Sequence, residues 1–75
     1  MFEILAGDVF EVEGELLTVF KLRLGVVGET VNAYVHYAFS GQVRIRTAPE
    51  FCRWLAEMLE SGRARSVNRE ADFQF

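Results

Sequence analysis

The sequence predicts an α+β fold: an antiparallel meander of four or five strands, one helix packed across one face, and a tail able to add a short C-terminal edge strand. Three observations predict it. Short runs with alternating apolar side chains fill the first 46 residues, and glycine-bearing turns close them. The connections between runs are too short for crossovers, so consecutive runs pair as hairpins. One stretch of helical periodicity follows, with a clear start and stop.

The extended runs are Phe2–Leu5, Val9–Glu13, Leu16–Leu24, Thr30–Phe39 and Gln42–Arg46. Gly7-Asp8, Gly14-Glu15, Gly25 to Gly28 and Ser40-Gly41 punctuate them. Gly14-Glu15 fits a two-residue loop with glycine at its first central position. The helix is expected over 48–61. Thr47 is a good N-cap, Pro49 is tolerated in the first turn, and Glu50 stands three residues after Thr47, the spacing of a capping box. Phe51, Trp54, Leu55, Met58 and Leu59 form one apolar stripe, with Trp54 mid-stripe and expected to be buried. Glu50, Arg53, Glu57 and Glu60 form the wet side, and Gly62 is a natural stop. The tail, residues 63–75, begins polar and ends in "FQF", which alternates like an edge strand.

The helical stripe needs an apolar surface to cover. Phe20, Leu22, Leu24, Val31, Ala33, Val35, Tyr37, Phe39, Val43 and Ile45 are expected to supply it as one sheet face.

The chain has 75 residues and a formal net charge of -3. A domain this small buries only about 60% of its unfolded surface, so it gains from a partner. There is no linker, repeat or low-complexity tract, and no apolar run of membrane-spanning length. The opening "MFEILAGDVFEVE" is acidic and strand-like, unlike a signal peptide. Cys52 is the single cysteine and cannot close an internal disulfide, which fits a reducing compartment. These features predict a soluble, cytoplasmic protein. In size and style the chain resembles small acidic products of phages and mobile elements, a likeness that no motif carries.

Charge is distributed unevenly. Residues 1–20 hold Glu3, Asp8, Glu11, Glu13 and Glu15 and no base. Residues 21–46 hold Lys21, Arg23, Arg44 and Arg46 against Glu29 alone. Either the strands neutralise one another within one sheet, or the molecule has two poles suited to a charged partner or to its own copy.

Parity then assigns faces. For Leu22 and Ala33 to share the inner face, paired residue numbers in the central hairpin must sum to an odd value. A four-residue loop Val26–Glu29 sets Lys21 opposite Tyr34, Arg23 opposite Asn32 and Val19 opposite His36. Phe39 facing Val43 sets His36 opposite Arg46 and Ala38 opposite Arg44. Lys21, Arg23, Tyr34, His36, Arg44 and Arg46 then form one outer patch, the expected binding surface. A loop at Gly14-Glu15 places Phe10, Val12, Leu17 and Val19 on that outer face too, as an apolar self-association patch. A bulge near Glu13 would reverse this and return Phe10 and Val12 to the core.

Catalysis and metal binding find little support. His36 is the only histidine, and Cys52 lies on the helix, across the sheet from it. Cys52 reads as a packed small side chain, and Glu11, Glu13 and Glu15 as solvated acids. "GVVGE" lacks the lysine and the strand-to-helix context of a phosphate loop. No enzyme, cofactor or metal is expected. The expected function is protein–protein binding through the face opposite the helix, as a homodimer, inhibitor, adaptor or subunit. The alternative is single-stranded nucleic acid stacked on Tyr34 and His36 among Lys21, Arg23, Arg44 and Arg46; the acidic net charge disfavours it.

Overall fold

Turn chemistry sets the pairing of each hairpin. The computed structural model describes residues 4–68. Strands β1 (Val9–Val12), β2 (Glu15–Val27), β3 (Thr30–Phe39) and β4 (Gln42–Thr47) form an antiparallel meander. Helix α1 (Ala48–Glu60) follows, then β5 (Ala64–Ser66) pairs antiparallel with β1, giving the order β4-β3-β2-β1-β5. The α+β meander with a short C-terminal edge strand is therefore present. That edge strand comes from the polar start of the tail, and "FQF" lies outside the described residues. Of the expected first strand, residues 2–3 also lie outside them, and Ile4 and Leu5 are not in a strand. The amide of Leu5 instead donates to Asp8 Oδ2 (2.8 Å) in a tight turn.

Three two-residue turns replace the expected loops. Val12 pairs with Glu15, so the first turn is Glu13-Gly14, with φ of 50° and 86°. Ser40-Gly41 repeats this, with φ of 53° and 75°, and Phe39 pairs with Gln42. Positive φ at both central residues matches strand twist in the type I′ manner. Val27 pairs with Thr30, leaving Gly28-Glu29 as the middle turn, glycine first with φ 62°.

The third turn has a large consequence. Phe39 opposite Gln42, rather than Val43, slips β4 by one residue. Every β4 side chain then changes face. Val43 and Ile45 lie opposite Ala38 and His36 on the outer face, while Arg44 and Arg46 lie opposite Tyr37 and Val35 on the helix side.

A β-bulge changes β2 as well. Leu17 and Val19 pair with Phe39 and Tyr37, but Lys21 pairs with His36, so Phe20 is an extra residue. The odd-sum parity holds beyond Phe20 and fails before it. Val19 therefore shares the helix-side face with Tyr37 instead of standing outside beside His36. Phe10, Val12, Leu17 and Val19 are all 0% exposed and form the centre of the core with Val35, Tyr37, Phe51 and Leu55. The expected self-association patch is thus core. The bulge that brings it there lies in β2 rather than near Glu13.

Helix α1 has 13 residues, about 20 Å of length. Four inter-strand gaps amount to about 19 Å, so the helix can pass from the β4 edge to the β5 edge. Phe51, Leu55 and Met58 are buried; Trp54, expected to be buried, is half-buried at the rim, edge-on to Phe39. The capping box takes a variant form: Thr47 Oγ1 donates to Glu50 Oε1 (2.7 Å) and makes no bond to the helix backbone. At the other end Gly62 N–H donates to Leu59 O and Arg63 N–H to Met58 O, a Schellman stop with Gly62 at φ 77°.

A helix with its side chains is only about 10–12 Å wide, three or four residues of a strand it crosses. β2 has 13 residues. β1 reaches only to Thr18 of β2, and β4 only to Tyr34 of β3. Residues 24–33 therefore extend from the sheet as a two-stranded arm, and the molecule measures 38 × 29 × 19 Å. Leu24 and Val31, expected under the helix, and Val26, expected in the loop, stand on the helix-side face of this arm and are 72%, 59% and 67% exposed.

Candidate functional site

The sheet face opposite α1 carries an ordered cluster. Lys21 lies across from His36, and Arg23 across from Tyr34, because the bulge puts Phe20 and Lys21 together on this face. Arg23 Nε donates to His36 Nε2 (2.8 Å), and its guanidinium lies 4.5 Å from the centre of the Tyr34 ring. Phe20 meets the His36 ring edge-on at 6.2 Å. Gly25 makes room for Tyr34, since a Cβ there would stand 2.7 Å from Tyr34 Cε2. Four side chains from two strands are thus held in one arrangement.

The cluster fixes the state of His36. A guanidinium only donates, so Nε2 must accept, and the ring is neutral with its proton on Nδ1. Desolvation, then the charges of Arg23 and Lys21, lower its pKa from the usual value of 6.5. With Nε2 occupied by a permanent cation, His36 is poorly placed to take a proton from a nucleophile.

An apolar surface continues from the cluster across β4. Ile45, opposite His36, is 53% exposed, Val43 is 68% exposed, and Phe20 is 47% exposed. These three side chains were expected in the core. The two-residue Ser40-Gly41 turn is the signal that places Val43 and Ile45 here, and the bulge is what places Phe20. No protein-family model, curated protein or solved structure matches the chain. Function is read from the surface itself.

Of the six residues expected to form the binding surface, Lys21, Arg23, Tyr34 and His36 come together. Arg44 and Arg46 do not. Arg46 lies over the Trp54 ring (5.6 Å) and Arg44 donates to Gln42 Oε1 (3.1 Å), both on the helix side. The acidic first hairpin is engaged elsewhere: Arg63 bonds Glu13 (2.7 Å) and Arg65 bonds Glu11 (3.2 Å). Arg63, just before β5, and Arg65 within it therefore answer the acids, and the cations of β2 stay with the outer cluster.

Cys52 is half-buried, and desolvation raises its thiol pKa, which disfavours the reactive thiolate. Among the described residues no group of His, Cys, Asp and Glu is arranged to hold a metal ion, and no helix is long and apolar enough to cross a membrane.

Proposed function

We propose that the chain is a small non-enzymatic binding module that holds another protein on the sheet face opposite α1, in the cytoplasm. The observation that carries this reading is the outward turn of Val43 and Ile45 beside Phe20, on a face that no helix covers. An apolar centre next to Tyr34 and Arg23 has the composition of interface hot regions. The Arg23–His36 bond and the Arg23–Tyr34 stack hold these side chains in place before binding, so less rotamer freedom is lost on association. Lys21 and Arg23 on the rim suit a partner with an apolar centre and an acidic border.

Peptides selected from a random display library on the folded protein test this. Selected sequences should combine large apolar residues with Asp or Glu. Ile45→Lys should weaken them about tenfold or more, while Arg53→Glu on the wet side of the helix should leave them unchanged. Ligands indifferent to Ile45→Lys would contradict the reading.

Single-stranded nucleic acid is the second reading, favoured by Tyr34 and His36 lying beside Lys21 and Arg23. Two expected phosphate contacts, Arg44 and Arg46, lie on the other face, and Arg23 already covers Tyr34. Binding of mixed-sequence single strands that weakens steeply with salt would favour this reading; no binding at low salt would remove it.

A further inference from the structure

We propose that residues 69–75 add to the open edge of β2 as a further strand, parallel to β2, and widen the two-stranded arm to three. The site is the edge of β2 and not the face proposed above, and the two readings stand or fall independently.

The arm leaves an edge open. Among the described residues, β1 pairs with β2 only as far as Thr18, and just past it Gly7 N–H donates to Val19 O (2.7 Å). From Lys21 to Val27, β2 pairs only with β3. Val27 and Thr30 flank a two-residue turn and so form a hydrogen-bonded pair. The alternation of an antiparallel ladder then gives the next bonded positions on β2 as Gly25 and Arg23. The N–H and C=O groups of Leu22, Leu24 and Val26 therefore point off the edge, away from β3. Such an edge is a template for another strand, and a two-stranded ribbon gains stability from a third.

The two sides of this edge ask for different chemistry. Leu22, Leu24 and Val26 are exposed on the helix side, while Lys21 and Arg23 stand on the outer side. A strand that fits must alternate, apolar toward one side and acidic toward the other. Residues 69–75 read Arg-Glu-Ala-Asp-Phe-Gln-Phe. In an extended chain Ala71, Phe73 and Phe75 share one side, and Glu70, Asp72 and Gln74 the other. Setting Ala71 beside Leu22 places Phe73 beside Leu24 and Phe75 beside Val26. On the outer side the same register places Glu70 beside Lys21 and Asp72 beside Arg23. One register thus serves the apolar side and the charged side together.

Position and length agree with it. Strands β5 and β2 are both antiparallel to β1, so the chain leaves β5 in the direction of the arm. Asn68 accepts from the Val9 amide (3.0 Å) and donates to Gly7 O (2.8 Å), next to where the open edge begins. The backbone bends at Val67 and Asn68, which frees the following residues from the alternation of β5. Seven extended residues span about 23–25 Å. Val19 to Val26 is about 23 Å of strand.

Amide exchange of the full chain, read residue by residue, tests the proposal. The Leu24 and Val26 amides should exchange about tenfold more slowly than in the unfolded chain, at low and high protein concentration alike. Gln74→Pro removes the N–H that would bond Leu24 O, and should return both amides to the unfolded rate while Leu17 and Val19 keep their protection. Should that variant fail to fold, Asp72→Pro supplies the same test. Glu70→Lys should cut the protection about threefold, and adding Lys21→Glu should restore most of it. Leu24 and Val26 amides at the unfolded rate in the parent, protection that survives Gln74→Pro, protection that appears only as concentration rises, or indifference to Glu70→Lys would overturn it.

Discussion

The two halves of strand β2 present the same kind of side chain to the same side of the sheet and meet different fates. Before the Phe20 bulge, Leu17 and Val19 are fully buried. After it, Leu22 is 41% exposed, and Leu24 and Val26 more so. Residue type does not separate them, and neither does face. What separates them is cover: one helix spans the width of the sheet but only three or four residues of its length. Burial in a small α+β domain is therefore decided by where the helix crosses, and an apolar strand that outruns it becomes surface.

Substituting the same residue into both halves gives the largest expected contrast. Val19→Lys places an unpaired charge in the core and should unfold the domain, whose total stability is on the order of 5 kcal/mol. Leu24→Lys in dilute solution should change stability by less than about 0.5 kcal/mol. Thermal melts of the two variants check this. Equal losses would mean that the arm is as covered as the base.

Asp8 sharpens the description of the base. It is 1% exposed, and its carboxylate accepts from the Leu5 amide while its carbonyl accepts from Val19 N–H. Asp8→Ala should cost about 1–3 kcal/mol by leaving buried polar groups unsatisfied. Denaturant unfolding measures that loss. A neutral result would show that the turn before β1 does not depend on the carboxylate.

The outer cluster should give the smallest effect. His36 has a lowered pKa in the folded chain, so the unfolded chain takes up the proton first as pH falls through 6.5. Above that value both states are neutral and the group contributes no pH dependence. Below it, the folded state loses stability until its own His36 titrates. Melting temperature should therefore drop slightly more in the parent than in His36→Gln on going from about pH 7 to about pH 5. Identical slopes would mean that the Arg23–His36 bond does not hold in solution.

Much of the fold was legible because local chemistry and pattern agreed. Thr47, Pro49, Glu50 and Gly62 bounded the helix, and the stripe from Phe51 to Met58 named its buried face. Parity correctly assigned Leu22, Leu24 and the inward residues of β3, while Val26, read as loop, is in the strand. Two single-residue events then moved most of the candidate site. Phe20 is an inserted residue, and nothing in "TVFKL" distinguishes a bulge from a regular strand. It reversed the faces before it and turned the supposed patch of Phe10, Val12, Leu17 and Val19 into core. Ser40-Gly41 did carry a signal. A two-residue turn with glycine second is a common hairpin connection, and it outweighed the apolar pattern of Val43 and Ile45. Arg44 and Arg46 left the candidate surface for that reason, and Val43 and Ile45 joined it.

Amide hydrogen exchange in dilute solution tests the division of the sheet most directly. The base, from Leu17 to Val19 and Val35 to Phe39, should exchange only through global unfolding. The arm, residues 24–33, should exchange far faster than the base. Protection of the arm equal to that of the base in dilute solution would contradict the division between covered base and uncovered arm.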